Sequence, residues 1–391
     1  MSNLPDRRAS IATATPVDRG RRMRIGYLSL ERPHEGNAAY THVHEIVAGL
    51  RRRGHAVDLY APKDSSAENS PGLATRVLIW FFVQTRLMFH WRRYDAIYVR
   101  GHNMAAPTAL LARLTGKPIC HECNGPFTDL AITHPAARHF GGLLRTLQRM
   151  QYRWANALVA VTPQLETWLR SEGCTAPAAI VPNGANLDRF NPNLPPREGL
   201  PERYVVFFGG FVRWQGIPVM LEAVNDSAWP NDVVLVLAGE GQMRPEVEEA
   251  ARKSRKVLYL GKLRNSEIGS VVAHAIAGLV PKTYNEDTGL FPVKLFEILA
   301  CGVPAVVTDY PGQADLIRAE KCGVVVPPYD AQALAQAVAD LAGDPARAAA
   351  LGRTGHEMIV RAHSWDERAE RTAQILARAV DASHPEAHFS P

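Results

Sequence analysis

Short apolar runs alternate with amphipathic stretches through the first half of the chain. Arg24–Leu30 (RIGYLSL) has the pattern of a strand, and Ala39–Arg53 that of an amphipathic helix stopped by Gly54. Val57–Tyr60, Asp95–Val99, Pro118–Cys123, Ala157–Val161 and Ala179–Val181 continue the series as strands. A helix runs to Leu114 after the third, and another is expected near Leu143–Trp154. The region Asn186–Arg203 is rich in Pro and Asn and has little periodicity, so it reads as a linker. The pattern then restarts, with strands at Tyr204–Phe208, Val233–Ala238, Val257–Leu260, Ala277–Val280, Ala305–Thr308 and Val324–Val326. Helices fit Ile217–Val224, Arg244–Arg252, Glu267–Ala273 and Pro292–Ala300, and an Ala-rich helical region extends from Pro328 to about Ser383.

Strand–helix alternation of this kind argues for parallel sheets covered on both faces. The expected fold class is α/β, with two Rossmann-like domains facing a cleft. The first spans 23–185 and the second 203–362, joined by a linker at 186–202. A helix follows over 363–383, and a leader (1–22) and a tail (384–391) flank the whole. Ligands in such sheets bind beyond the carboxyl ends of the strands, so the loops after strands are where chemistry is expected.

Composition changes this picture little. The chain of 391 residues carries a net charge of +5, which permits an anionic partner without selecting one, and nothing in it resembles a nucleic-acid module. The five cysteines are odd in number and mostly in apolar segments, so free buried thiols are expected. Cys120-His121-Glu122-Cys123 has a C-x-x-C spacing but no second ligand pair, which favours a core strand over a metal site. No metal and no cofactor is expected. Residues 1–22 lack the apolar run of a signal peptide, and a cytoplasmic location is expected. Val77–Trp91 (VLIWFFVQTRLMFHW) is too short to span a bilayer. It suits either a buried helix of the first domain or an interfacial helix with Arg92 and Arg93 near lipid head groups, which would allow peripheral contact with the inner face of a membrane.

The strand ends hold the candidate chemistry. After the first strand, Gly36 and Asn37 lead into a helix whose N–H groups could meet an anion, though a plain turn fits as well. His42 and His44 sit on the first turns of that helix, as surface or packing residues or as ligands. After the fourth strand, Glu122 and Asn124 are expected to face the cleft, where Glu122 would bind acceptor hydroxyls or take a proton; the alternative is a local Asn-Gly turn. Gly209 and Gly210 allow close backbone approach, with Arg213 as a cation for a diphosphate and Gln215 nearby. Gly239-Glu240-Gly241 and Gly261-Lys262 repeat the device at the next two strand ends. Finally, Asn285–Asp309 reads as a loop, a short helix carrying Lys294 and Glu297, and a buried strand. The two side chains share a helix face, either as an exposed ion pair or as ligand-binding groups. The loop Gly289-Leu290-Phe291-Pro292 feeds a helix N-terminus suited to phosphate.

Taken together, the segments Val181-Pro182-Asn183-Gly184, Phe208-Gly209-Gly210 through Gly216, Leu237–Gly241, and Phe291–Glu297 with Ala300–Pro304 resemble the family 4 glycosyltransferases of GT-B fold. The resemblance runs from Arg24 to about Ala379. It implies transfer of a sugar from a nucleoside-diphosphate donor on the second domain to a hydroxyl-bearing acceptor on the first, with retention and without metal. The acceptor would be a lipid-linked glycan or a small molecule, in polysaccharide, glycolipid or glycosylated-metabolite biosynthesis. Glu297 matches the second glutamate of the family's Glu-x7-Glu motif, which holds the donor ribose, while the first falls at Gly289. Glu286, Asp287 or the backbone of Gly289–Phe291 would have to replace it. The family's phosphate-binding Arg and Lys fall at Gly210 and Gln215, leaving Arg213 and Lys294 as the nearest cations, and its common histidine falls at about Asn124. Catalytic roles are thereby implied for Glu122, Asn124, Arg213 and Lys294, and Asn183 joins His42 in the acceptor or phosphate loop. The departures also leave open a non-catalytic nucleotide-sugar-binding subunit, or a GT-B nucleotide-sugar epimerase.

Overall fold

The apolar runs of the first half assemble into one parallel sheet and those of the second half into another. The computed structural model describes residues 21–32, 38–63, 72–125, 141–283, 289 and 291–383. The first sheet contains β1 (Arg24–Leu28), β2 (Ala56–Tyr60), β3 (Ala96–Arg100), β4 (Ile119–Cys123), β5 (Ala157–Ala160) and β6 (Ala178–Ile180), in the order β2-β1-β3-β4-β5-β6. The second contains β7 (Tyr204–Gly210), β8 (Val234–Glu240), β9 (Val257–Tyr259), β10 (Ala277–Val280), β11 (Ala305–Thr308) and β12 (Gly323–Val326), in the order β12-β11-β10-β7-β8-β9. The described strand pairs are all parallel, so each crossover has to travel over a sheet face, and helices fill both faces.

On the first sheet, α1 (Ala38–Arg52) packs on one face through Val43, Ile46, Val47 and Leu50. The other face is covered by α2 (Leu73–Phe89) and α3 (Ala106–Thr115), followed by α4 (Gly141–Arg153) and α5 (Pro163–Ser171). Local chemistry sets the limits of these helices. The Thr162 hydroxyl accepts from the Leu165 N–H at 3.1 Å, and Pro163 fits the first helical position. Gly116 stops α3 in the left-handed conformation, at φ 65°.

The second sheet carries α6 (Ile217–Ala223), α7 (Arg244–Lys253) and α11 (Ala331–Gly343) on one face, and α8 (Asn265–Val272), α9 (Val293–Ala300) and α12 (Pro345–Ala362) on the other, with α10 (Gln313–Glu320) between β11 and β12. The last helix, α13 (Trp365–Ser383), returns to the first sheet. Trp365, Ala369, Leu376 and Val380 join the core beneath α1, and Arg52 at the end of α1 and Arg53 just after it meet Asp366 and Glu370. The crossing point is tight: Ala185 bridges Ser364, and a Cβ on Gly184 would lie 2.7 Å from the His363 carbonyl oxygen.

One expectation needs correction. The Val77–Trp91 segment is not simply a buried helix. Trp80, Val83, Gln84 and Leu87 face the core, but Leu78, Phe81, Phe82 and Phe89 are exposed.

Candidate active site

Strand order reverses at β7, which sits between β8 and β10, and a crevice opens at such a point in an open α/β sheet. The paired ends of β7 and β8 set Gly209 against Gly239, where a Cβ on Gly239 would lie 1.9 Å from the Gly209 carbonyl oxygen. Both glycines take positive φ, 118° and 151°, so only glycine lets the two strands run paired to the cleft edge. The cleft there has a volume of about 550 Å³. Gly209, Gly210, Gln215, Gly239, Lys262, Pro292, Lys294 and Glu297 line it, and α1 contributes Ala38 and Thr41 from the opposite domain.

Lys294 and Glu297 are both enclosed rather than forming an exposed ion pair, with relative exposures of 9% and 5%. The Lys294 ammonium donates to the Gln215 amide oxygen at 3.1 Å and lies 3.8 Å from the centre of the Phe207 ring. Burial holds its pKa well below the usual lysine range; Lys282 depresses it further and Glu297 partly restores it. Burial likewise pushes the Glu297 carboxyl up to about 7, against the pull of Arg189 and Lys294. A depressed lysine and a raised carboxyl side by side in a cleft mark a candidate functional site.

Lys282, which sequence reasoning missed, also lines this cleft, with its ammonium 4.8 Å from the centre of the Trp214 ring. Its position just past β10 was the available signal. Arg213 is a correction: it is exposed on the short turn Arg213–Gln215 and is not among the residues lining the cleft. Gly241 serves the scaffold, since a Cβ there would lie 2.4 Å from the Phe211 carbonyl oxygen. Phe291 contributes its carbonyl to a contact described below rather than lining the cleft. Gly289 has φ 75°, and a Cβ would lie 2.6 Å from the Gln164 side-chain oxygen, so α5 of the first domain occupies the space that a side chain at 289 would need. Gly36, Asn37, Glu286, Asp287 and Leu290 lie outside the described residues.

In the first domain Glu122 is a second correction. It is fully buried at the end of β4 instead of facing the cleft. One carboxylate oxygen accepts from Tyr98 at 2.6 Å and sits 2.9 Å from His42 Nε2, and the other accepts from Arg100 at 2.6 Å. Although burial opposes it, the charges of His42 and Arg100 hold the Glu122 pKa down to about 2. His42 is neither a surface residue nor a direct cleft ligand: its Nδ1 lies 2.9 Å from the Asn183 amide oxygen, and Asn183 donates to the Phe291 carbonyl at 2.7 Å. A polar chain thus runs from Arg100 through Glu122, His42 and Asn183 to the loop that starts α9. Asn124 is half-buried and accepts from Arg100 at 3.3 Å. A smaller hollow of about 270 Å³, lined by Glu31, Arg32, Tyr40 and His44, opens beside β1 and β2. The cysteines are free and buried, with Cys120 and Cys123 inside β4.

The family comparisons fit this geometry. Residues 39–189 match the model "Glycosyltransferase Family 4" and residues 202–344 match "Glycosyl transferases group 1". The chain belongs to this glycosyltransferase family. Among its relatives is a GDP-mannose-dependent alpha-(1-6)-phosphatidylinositol monomannoside mannosyltransferase from Mycolicibacterium smegmatis, 26% identical, with 85% of this chain and 93% of that protein covered. The fold is similar to that of sucrose-phosphate synthase from Thermosynechococcus elongatus, with a TM-score of 0.76, 20% identity, and 92% of this chain and 100% of that one covered. It is also similar to Anabaena Alr3699/HepE in complex with UDP and glucose, with a TM-score of 0.69, 16% identity, and 91% and 99% coverage. These neighbours share the GT-B fold.

Proposed function

We propose that this glycosyltransferase moves a sugar from a nucleoside-diphosphate donor to an acceptor hydroxyl with retention at the anomeric carbon and without a metal ion. The reading is carried by the cleft at the β7 switch point, where bare glycine backbone, Lys282 and Lys294 converge beside Glu297. The lysines neutralise the diphosphate, taking the place expected of Arg213. Glu297 meets the ribose hydroxyls, and the polar backbone of Gly209 and Gly210 lets the phosphates approach closely. Preorganised charge of this kind is usually the largest catalytic term. In the reaction the bond from the anomeric carbon to the phosphate oxygen breaks, and the bond to the acceptor oxygen forms on the same face. The hydroxyl proton passes to the departing phosphate.

The first domain positions the partner groups. Glu122 acts through Arg100 and His42, and the Asn183–Phe291 contact couples that domain to the donor loop. The acceptor docks near Asn124 and the hollow by Tyr40. The relative from Mycolicibacterium smegmatis makes GDP-mannose the first donor to test and a glycolipid the first acceptor class.

Incubation with UDP-, GDP- and dTDP-sugars and a panel of hydroxyl acceptors tests the reading. A product with the donor's anomeric configuration, formed in excess chelator, is expected. Donor binding without turnover would favour a non-catalytic binding subunit, and conversion of the donor sugar itself an epimerase.

A further inference from the structure

The outer surface of the α2–α3–α4 layer combines two properties that rarely coincide on a water-facing surface. The first is apolar exposure. Along α2, Leu73, Leu78, Phe81, Phe82 and Phe89 are 66%, 56%, 60%, 61% and 88% exposed, and Leu110 and Leu114 of α3 and Leu143 of α4 continue the apolar surface. The opposite side of α2 is fully engaged, with Trp80, Val83 and Leu87 in the core. Large apolar side chains therefore sit on both sides of the helix, while only one side has a protein core to bury in. Its 17 residues make it about 25 Å long.

The second property is charge. Residues 72–153 contain eleven Lys and Arg against three Asp and Glu, a local net charge of +8. The whole chain is +5, so the remainder is −3. Neither α2 nor α3 contains an acidic residue. Arg86, Arg92, Arg93 and Arg113 are exposed, and Arg92 and Arg93 lie three and four residues after Phe89, which ends α2. Leu111 of α3 lines the same surface hollow as Phe89, Arg92 and Arg93, which places the two helices side by side at this end.

We infer that the α2–α3 face is a docking surface for an anionic lipid bilayer, with Phe81, Phe82 and Phe89 entering the head-group boundary and the arginines meeting lipid phosphates. Exposed aromatic and leucine side chains along a helix that also carries and is followed by arginine match an interfacial helix lying in the membrane plane. No described helix is long and apolar enough to cross a membrane. Charge sets the orientation: the exposed Arg86, Arg92, Arg93 and Arg113 draw this face to an anionic surface, while the chain outside 72–153, at −3, is turned away from it. Nucleic acid would use the arginines but leave the phenylalanines exposed. The inference does not rest on the donor reading, because the test needs no nucleotide.

Full-length protein would be floated with vesicles of phosphatidylcholine alone and of phosphatidylcholine with phosphatidylglycerol in equal parts. Association is expected with the anionic vesicles and to be weak with the neutral ones. Arg92→Gln/Arg93→Gln is expected to lower the partition on the order of 25-fold, since each basic residue near an anionic surface contributes about fivefold. Phe81→Ser/Phe82→Ser is expected to abolish the part of the association that survives high salt. Melting temperatures should match the wild type, because all four side chains are exposed. Failure to float with anionic vesicles would overturn the inference, and so would flotation that neither variant changes. An oligomer in size-exclusion chromatography that Phe81→Ser/Phe82→Ser dissociates, with no flotation, would assign the face to a second copy of the chain instead.

Discussion

The Lys294 ammonium of α9 donates to the Gln215 amide oxygen of the turn after β7, at 3.1 Å. This contact brings a cation from the first turn of α9 to the turn after β7, whose own cation, Arg213, is exposed outside the cleft lining. It also holds that cation over Phe207, in a site that solvates its charge poorly.

A diphosphate would supply the missing counter-charge, so donor binding should take up a proton at Lys294. The sign follows from the depressed pKa: burial favours the neutral amine, and an anion restores the charged form. Calorimetric titration with a nucleoside diphosphate in two buffers of different ionisation enthalpy measures this. The apparent enthalpies should differ in the direction of uptake; equal enthalpies would contradict it. Lys294→Met should lose about 1–3 kcal/mol of diphosphate affinity and melt at a higher temperature than the wild type, because it removes a buried amine.

Lys282 should behave as a second phosphate group. Lys282→Ala is expected to weaken nucleoside-diphosphate binding while leaving free-nucleoside binding unchanged, whereas Arg213→Ala, at an exposed position outside the cleft lining, should change neither. Loss of nucleoside affinity in Lys282→Ala would place this side chain on the base or ribose.

Glu122 and Glu297 are both buried, yet they should give opposite pH dependences. Glu122 has a folded pKa near 2, below its ordinary 4.5, so its contribution is present above about pH 4.5 and is lost as pH falls through 2. Glu297 has a folded pKa near 7, above its ordinary 4.5, so stability falls as pH rises from about 4.5 to 7. Glu297→Gln should therefore raise stability at pH 8 by about 2–3 kcal/mol, with no gain at pH 4, and should bind donor more weakly. Denaturant unfolding at the two pH values measures it; an equal change at both would remove the carboxyl from the account.

Removing Glu122 leaves Arg100 and His42 without their shared acceptor in a buried site. Glu122→Ala should cost about 3–5 kcal/mol of stability, and Glu122→Gln should flatten the acid limb of the stability curve. A stable, fully folded Glu122→Ala with lost activity would instead favour a direct chemical role.

Much of this was legible in the chain. Strand–helix alternation predicted two parallel sheets, and the Gly209-Gly210 and Gly239 strand ends pointed to the cleft that they now line. Glu122 was misjudged for a physical reason. β4 is covered on both faces, so all five of its residues are buried and alternation along it reveals no outward side. Lys282 gave no periodic signal, because its relation to Trp214 spans distant segments. The glycine at 289 was visible, but not its cause, since Gln164 comes from the other domain. Val77–Trp91 carries large apolar side chains on both sides, so its sequence alone did not reveal which half met the core.

The central claim is that the β7 cleft is a nucleoside-diphosphate site charged by Lys282 and Lys294. Calorimetric titration of the wild type and Lys294→Met with GDP, GMP and guanosine, and with the uridine series, tests it most directly. The account predicts that in one series the diphosphate binds much more tightly than the monophosphate and nucleoside, and that Lys294→Met removes most of that difference. Equal affinities across each series, or a diphosphate preference that survives in Lys294→Met, would contradict it.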